Sequence, residues 1–323
     1  MASPNISELI TSAIQSRTGE AANNVLKNNA LLKRLSDKGK VKPVSGGTSI
    51  YQELTYAENS TFQYYDGGEA LSVQASDVLT SAEFAWKQAA VAVYITGKEE
   101  AINSGKEQIL DLLETRIQNA EDTMKNNLSV GIYSDGTGSG GKQIGGLQYL
   151  VADTPTSGTV GGINRATYSF WRNISFDATT DGGAAASSAN IQSYMNRVYI
   201  QLVRGADRPD LIVADNTYWR VYLESLQSIQ RIASDSMAQA GFMSLKYMDA
   251  DVVLDGGFGA AAPANHMYFL NTKYLFWRPH RQRNMVPLSP DRFALNQDAT
   301  VKLVGFMGNL TCSNCSLQGI LKD

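Results

Sequence analysis

The sequence contains very little cysteine and histidine. Its 323 residues include two cysteines and two histidines, and no serine lies in a G-x-S-x-G pattern. Cys312 and Cys315 have the spacing of half a zinc knuckle, but a structural zinc site needs four ligands, so we interpret them as a structural thiol pair. We therefore predict no catalytic residues, no metal and no cofactor, and a stability that comes from packing or association.

Long uncharged apolar runs are also missing. No segment approaches the roughly 18 apolar residues that indicate a membrane helix. The first ten residues, MASPNISELI, lack the basic segment and apolar core of a signal peptide. We therefore expect a soluble protein without membrane contact, made in a reducing cytoplasm. The 43% of hydrophobic residues is enough for a sizeable core.

Positive charge is missing from one stretch and concentrated in the stretch before it. Residues 48–86 contain six acids and no lysine or arginine: Glu53, Glu58, Asp66, Glu69, Asp77 and Glu83. Residues 27–42 contain one acid and six bases, a net charge of +5: Lys27, Lys33, Arg34, Lys38, Lys40 and Lys42. This basic arm is predicted to contact either the phosphates of DNA or the acidic stretch of another subunit. A solvated helix face is the alternative.

A second basic cluster lies far downstream. Arg278, Arg281 and Arg283 surround His280. We interpret the cluster as a contact between subunits or within a loop.

Residues 49–56 and 81–96 predict the two strands of a long hairpin. Both stretches are rich in β-branched and aromatic residues, and the polar segment between them contains Gly67 and Gly68. A two-stranded ribbon is marginal by itself in water, and no neighbouring segment offers an obvious third strand. The hairpin is therefore expected to lie on another surface.

Residues 104–128 have the spacing of one long amphipathic helix. Apolar side chains recur every three or four residues, at Ile109, Leu113, Ile117, Ala120, Met124 and Leu128. Ser104 and Glu107 match a capping box at its start. Such a helix spans about 35–40 Å, the width of a small domain, so we expect other parts of the fold to pack along it.

The remaining patterns alternate between helix and strand. Helices are predicted at 6–14, 25–35, 184–203 and 218–232, and Asp215 or Asn216 is expected to cap the last of them. Strands are predicted at 147–151, 210–214, 251–254, 267–270, 274–277, 300–306 and 310–321. This order indicates a mixed α/β domain.

The glycine-rich loop from Gly136 to Lys142 matches two nucleotide-binding patterns imperfectly. It contains G-x-G-x-x-G, and it resembles a P-loop except that Gln143 replaces the serine or threonine that holds magnesium. Both motifs need a strand before the loop and a helix after it, whereas the long helix comes first here. A connecting loop is the favoured interpretation, and a nucleotide-binding enzyme is a distant alternative.

Four stretches resemble the coat proteins of tailed bacteriophages. They are residues 82–91 (AEFAWKQAAV), 103–108 (NSGKEQ), 132–138 (IYSDGTG) and 162–173 (GINRATYSFWRN). The order of parts, with a basic arm, an acidic hairpin, a long helix and then a mixed domain, also resembles major capsid proteins of the Hong Kong 97 type. The similarity covers nearly the whole chain and implies an α+β Hong Kong 97-like capsid fold with a structural role and no catalysis.

The resemblance also implies a division of the chain. Its parts would be an N-terminal arm (1–45), an E-loop hairpin (46–97), a P-domain (98–165) with a spine helix at 104–130, an A-domain (166–289) and C-terminal strands (290–323) that return to the P-domain.

The implied partners follow from the same resemblance. Subunits of this family form hexamers and pentamers that close into the icosahedral head of a virion around double-stranded DNA, inside the bacterial host, together with a portal and, in some cases, decoration proteins. Some members carry a scaffolding segment before the arm. The present sequence starts directly with the arm, so we expect a separate scaffolding protein or none. An encapsulin-like nanocompartment, which uses the same type of subunit, is the alternative.

Overall fold

The computed structural model describes residues 20–25, 27, 29–102, 106–226, 244–255, 262–288, 292–293 and 299–323. In these ranges helices and two main sheets are combined, which confirms the predicted α+β class.

The larger sheet has six strands and mixes parallel with antiparallel pairs. Its spatial order is β6 (Ile174–Asp177), β14 (Gly319–Lys322), β10 (His266–Leu270), β7 (Leu211–Ala214), β9 (Ala250–Leu254) and β8 (Ser244–Tyr247). β14 is parallel to β6 and β7 is parallel to β9, while the other neighbours are antiparallel. All four residues of β7 are apolar and fully buried, as expected for a strand covered on both faces.

Helices α5 (Ile191–Leu202) and α6 (Asn216–Ser225) pack with this sheet in one apolar core. Both were predicted, although α5 begins seven residues later than expected and residues 227–232 of the second prediction lie outside the described ranges. Asp215 caps α6 as predicted, because its carboxylate accepts from the backbone N–H of Tyr218 at 2.9 Å and of Thr217 at 3.2 Å.

The second sheet is organised around its longest strand. β13 (Ala299–Cys312) pairs antiparallel with β11 (Leu275–Pro287), β12 (Arg292–Phe293) and β3 (Lys87–Thr96). The strands predicted at 300–306 and 310–321 are therefore the continuous β13 followed by β14.

The long helix α3 spans Lys106–Gly131, close to the predicted range. Ile117 and Ala120 pack with side chains of β3 and β13, and Met124 and Leu128 enter the main core. These four positions confirm the second part of the predicted apolar stripe, whereas the side chains of Ile109 and Leu113 lie outside the described residues. The Ser104 cap lies outside the described residues.

The predicted strand at 81–96 is wrong in one respect, because it is two strands in two sheets. β2 (Leu79–Phe84) pairs with β1 (Ile50–Thr55) in an isolated ribbon, whereas β3 joins β13. The two residues between β2 and β3 are held by other parts of the chain: the Asn309 amide donates to the Ala85 carbonyl at 2.9 Å, and the Trp86 indole donates to the Gly47 carbonyl at 2.9 Å. Among the described residues, the third strand that the sequence did not reveal therefore pairs with residues 87–96 and not with the ribbon.

The strand predicted at 147–151 is also wrong, since Leu147–Leu150 forms a single helical turn, α4. Leu147 and Leu150 are both fully buried, and a spacing of three places them on one side of a helix but on opposite faces of a strand. The remaining short elements are the helices α1 (Ala30–Asp37) and α2 (Gly97–Ile102), the strands β4 (Thr159–Val160) and β5 (Ile163–Asn164), a helical turn at Gly138–Gly141, and 3-10 helices at Ser169–Trp171, Thr272–Tyr274 and Cys315–Leu317. The helix predicted at 6–14 lies outside the described residues.

Candidate intersubunit surfaces

The ribbon β1–β2 carries a long exposed tip, residues 56–78. Apolar side chains that would normally be covered are open to solvent there, among them Phe62 at 75%, Tyr64 at 92% and Val73 at 92% exposure. The only ring contacts among the described aromatic residues of the tip are Tyr56 with Phe170 and Phe62 with Tyr64. Concentrated apolar exposure on a protruding element marks a surface that another molecule covers.

The six predicted acids of this hairpin are all exposed. None of these carboxylates forms an ion pair with a described residue: Glu53, Glu58, Asp66, Glu69, Asp77 and Glu83. The hairpin is therefore an anionic and apolar arm whose charges are not compensated within the part of the chain that the structure describes.

Part of the predicted basic arm is docked on its own chain. Leu31, Leu32 and Leu35 of α1 are fully buried, and the Arg34 guanidinium lies 3.3 Å from the carboxylate of Asp210 and 3.2 Å from that of Asp251. The Lys38 ammonium also binds Asp210, at 2.5 Å, and Lys33 pairs with Asp37 of the same helix at 2.6 Å. Lys27 is exposed. Arg34 and Lys38 therefore anchor the arm to the larger sheet.

Three cationic side chains lie over one aromatic ring: Lys40, Lys42 and Arg278. Their charged groups lie 5.1, 5.8 and 5.0 Å from the centre of the Phe276 ring, within the range of cation–π contacts. Burial, followed by repulsion from Lys42, Lys273 and Lys38, lowers the pKa of Lys40. The two basic clusters predicted separately from the sequence thus meet in one surface, which we call the Phe276 cluster.

Backbone pairing explains how the arm reaches this place. Val41 and Val44 form parallel bridges to Trp277 and His280 of β11, and the Lys42 N–H donates to the Trp277 carbonyl at 2.9 Å. No local pattern in the sequence indicated this pairing, because it joins segments more than 230 residues apart.

The other two arginines of the downstream cluster stand on a bulge of β11. Pro279 pairs with Gly308 and Asn284 with Phe306, so residues 280–283 oppose the single residue Met307. Arg281 and Arg283 are exposed, and neither guanidinium has an ion pair or hydrogen bond with a described residue. Bulges of this kind redirect side chains out of a sheet.

A cavity of about 430 Å³ lies at the root of the ribbon. Its aromatic residues include Tyr56, Tyr168 and Phe170, with the Phe170 ring 5.5 Å from Tyr56 and 5.8 Å from Tyr168 between centres. Asp77 and Glu83 also line it, and burial together with the Asp77 carboxylate raises the pKa of the Tyr56 hydroxyl. The turn between β4 and β5 closes one side. We call this cavity the ribbon-root pocket.

Comparison with solved structures identifies the architecture. The chain matches the capsid asymmetric unit of Cyanophage A-1(L) with a TM-score of 0.65 at 16% identity, over 88% of this chain and 90% of that chain. The fold is that of a phage capsid subunit. A chain of Mycobacterium phage Bobi (TM-score 0.54, 8% identity, 91% and 90% covered) and the capsid of a native GTA particle (TM-score 0.54, 10% identity, 88% and 88% covered) are similar as well.

The similarity to these solved structures is one of shape. No protein-family model matches the sequence, and no curated protein matches it. At identities of 8–16% the likeness concerns the fold alone.

Within this capsid fold, the Gly136–Lys142 loop contradicts the nucleotide-binding alternative. The long helix α3 precedes it and the single turn α4 follows it, so the described residues provide neither the strand nor the helix that a phosphate loop needs. The Asp135 carboxylate bonds the Thr137 N–H at 2.9 Å, which places a negative charge on the loop itself. That hydrogen bond is the main cause of the lowered pKa of Asp135.

The cysteines and the described carboxylates and imidazoles form no metal site. Cys312 and Cys315 are fully buried free thiols, as the structural interpretation predicted. Across the described ranges no three histidine, cysteine, aspartate or glutamate side chains are grouped for a metal ion, and no helix is long and apolar enough to cross a membrane.

Asp255 joins three parts of the capsid fold. It follows β9, and its carboxylate accepts hydrogen bonds from the Asn29 amide at 2.9 Å and from the Tyr133 hydroxyl. Asn29 caps α1, Tyr133 follows α3, and both are only 1% exposed. Burial raises the pKa of Asp255 to about 6, although both hydrogen bonds oppose that shift.

We expect Asp255→Asn to stabilise the subunit at high pH. The carboxyl releases its proton at 3.8 when unfolded and at about 6 when folded, so its contribution is full below about pH 4 and is lost as the pH rises through 6. A difference of about two pKa units corresponds to about 3 kcal/mol. Urea unfolding should give the variant up to about 3 kcal/mol more stability than the wild type at about pH 8 and a smaller gain near pH 4. If the free energies of unfolding of the two proteins changed with pH in the same way, the raised pKa of Asp255 would be contradicted.

Proposed function

We propose that this protein is the major capsid protein of a phage head. Copies would form hexamers and pentamers of the Hong Kong 97 type that close into an icosahedral shell around double-stranded DNA, with a structural role and no catalysis. The observation that carries the proposal is the exposed hairpin tip on a capsid fold, since apolar residues on a protruding ribbon gain burial only against another molecule.

The divisions of the subunit belong to the same proposal. Residues 1–45 would be the arm, 46–97 the E-loop, 98–165 the P-domain, 166–289 the A-domain, and 290–323 would return to the P-domain. The pairing of β3 with β13 supports moving residues 87–96 from the E-loop to the P-domain, because β13 belongs to the sheet on which α3 packs.

Electron microscopy of the purified chain tests the function directly. Closed shells should appear with the chain alone or after co-expression with a scaffolding protein. A chain that remains monomeric under every assembly condition would exclude the proposal.

The contents of the particles separate the capsid from a nanocompartment. In a virion we expect nuclease-protected double-stranded DNA, a portal at one vertex and assembly in the bacterial host. Native particles filled with a protein cargo and lacking DNA would instead support the nanocompartment.

We further propose that the Phe276 cluster receives the acidic hairpin of a neighbouring subunit. Lys40→Glu with Lys42→Glu should slow DNA-free assembly, and more strongly at low salt, because exposed charges are screened over about 10 Å at 0.1 M ionic strength. Lys38 stays unchanged since it anchors the arm to Asp210. Light scattering measures the rate, and Lys142→Glu, also an exposed lysine, is the control. Assembly that the two substitutions leave unchanged at both salt concentrations would favour an arm that faces DNA.

A further inference from the structure

The ribbon-root pocket has the chemistry of a site for a planar cation. Three aromatic side chains in contact with one another line it, and the carboxylates of Asp77 and Glu83 line the same cavity without an ion pair to any described residue. A guanidinium stacks on aromatic rings and binds carboxylates through its planar fork, which an ammonium does only weakly. The pocket volume of about 430 Å³ lies within the roughly 300–1,000 Å³ that is usual for binding pockets.

The bulge of β11 supplies arginines whose guanidinium groups have no carboxylate partner among the described residues. Arg281 and Arg283 are exposed on residues 280–283, which are extruded from the pairing of β11 with β13. Arg278, by contrast, already lies over Phe276 and donates to the Gln52 amide oxygen at 2.8 Å. The two bulge arginines are therefore the guanidinium groups of this cluster that remain available.

The pocket and the bulge lie at two different places beside the root of the ribbon. Gln52, which Arg278 contacts, is buried on the inner face of β1, and the neighbouring side chain of Tyr51 points to the outer face. Tyr51 is paired across the ribbon with Glu83, and both line the pocket. The bulge begins two residues after Arg278. It contacts the ribbon root through the His280 ring, whose centre lies 5.4 Å from that of Trp86. When two different, complementary surfaces of one chain bind between copies, the contact is head-to-tail, and such a contact generates a ring when the rotation closes.

We infer that the ribbon-root pocket of one copy binds Arg281 and Arg283 from the β11 bulge of the next copy around a ring. This inference rests on the proposed function, because it supplies one of the contacts that hold a hexamer or pentamer together. The arginines are held by stacking on the pocket rings and by Asp77 and Glu83.

A thiol crosslink tests the pairing between copies. Glu83→Cys and Arg281→Cys are placed in the same chain, while Asp77 and Arg283 remain to hold the contact. A short bismaleimide, whose spacer replaces the lost side chains, is added to assembled particles. Both native cysteines are fully buried, so the new thiols are the reactive ones among the described residues. We expect a ladder of covalent dimers, trimers and larger species up to the ring size on a denaturing gel.

Matched variants make the result specific. Lys142 is exposed and basic like Arg281, and Lys142→Cys in combination with Glu83→Cys should give no ladder. Shells without a ladder, or equal ladders for both combinations, would overturn the pairing and leave the capsid function intact. If the unmodified chain forms no shells, the capsid function itself fails, so the two failures are distinguishable.

A charge exchange gives a second measurement that needs no crosslinker. Glu83→Arg should slow assembly by about tenfold, because it places like charges opposite each other. Adding Arg281→Glu to the same chain should restore most of the rate. Unchanged melting temperatures would show that both variants fold, and a combined variant no faster than Glu83→Arg alone would overturn the pairing.

Discussion

Replacing residues 57–77 by a short glycine-containing turn is expected to abolish shell assembly while the subunit stays folded. None of these residues belongs to an apolar core cluster, and the backbone bond from Tyr56 N–H to the Val78 carbonyl, at 3.1 Å, would still close the ribbon. The free energy of unfolding should therefore change by less than about 1 kcal/mol. Urea unfolding and electron microscopy measure the two effects.

A variant that keeps the full length of the tip distinguishes the effect of its apolar side chains from the effect of its length. Phe62, Tyr64 and Val73 are changed to serine, which removes apolar surface and keeps every backbone atom. This variant should also assemble poorly if contact between copies is made by these side chains. Normal shells from the shortened chain would contradict a role of the tip in assembly.

Removing the buried carboxylate of Asp251 should have the largest effect on stability. The side chain is 2% exposed and binds Arg34 at 3.2 Å and Lys246 at 3.1 Å. Asp251→Ala leaves the mostly buried Arg34 with less compensation, and breaking such a pair costs about 3–5 kcal/mol. Because Arg34 also fixes α1, the variant should release the basic arm from the larger sheet.

Asp249→Ala is the matched control for this change. Its carboxylate binds Arg208 at 2.9 Å, but both side chains are more than half exposed, so the loss should stay within about 1 kcal/mol. Urea unfolding of both variants and proteolysis near Lys38 measure the stability and the release of the arm. Equal losses for Asp249→Ala and Asp251→Ala would show that burial does not govern these pairs.

Local patterns predicted much of the secondary structure. The stripe of α3 and the Asp215 cap depend on residues within one or two turns, so the sequence alone displays them. The fold class and the likeness to phage capsids were also predicted correctly. The alternation of apolar and polar residues from 81 to 96 did not reveal that the chain passes from one sheet to another at Ala85 and Trp86. A strand pattern does not show which strand it pairs with.

Of the candidate surfaces, the sequence predicted only the clusters of charged residues. The acids of the hairpin are exposed as expected, but the docking of Arg34 on Asp210 and Asp251 depends on contacts across more than 170 residues. The Phe276 cluster and the ribbon-root pocket were missed for the same reason. Their rings and charged groups come from segments that become neighbours only after folding. Aromatic residues at 168 and 170, within the stretch that resembles coat proteins, were the one available signal.

The pairing of β3 with β13 has a consequence for the time at which a new chain becomes ready to assemble. The two strands are separated by about 200 residues, and at about 5–20 residues per second the ribosome needs roughly 10–40 s to supply the second after the first. Until then the strand that continues from the ribbon has no sheet to join. The hairpin is therefore synthesised early, but the strand β3 that continues from it pairs with β13 only late. Synthesis itself thus delays the contact between unfinished copies.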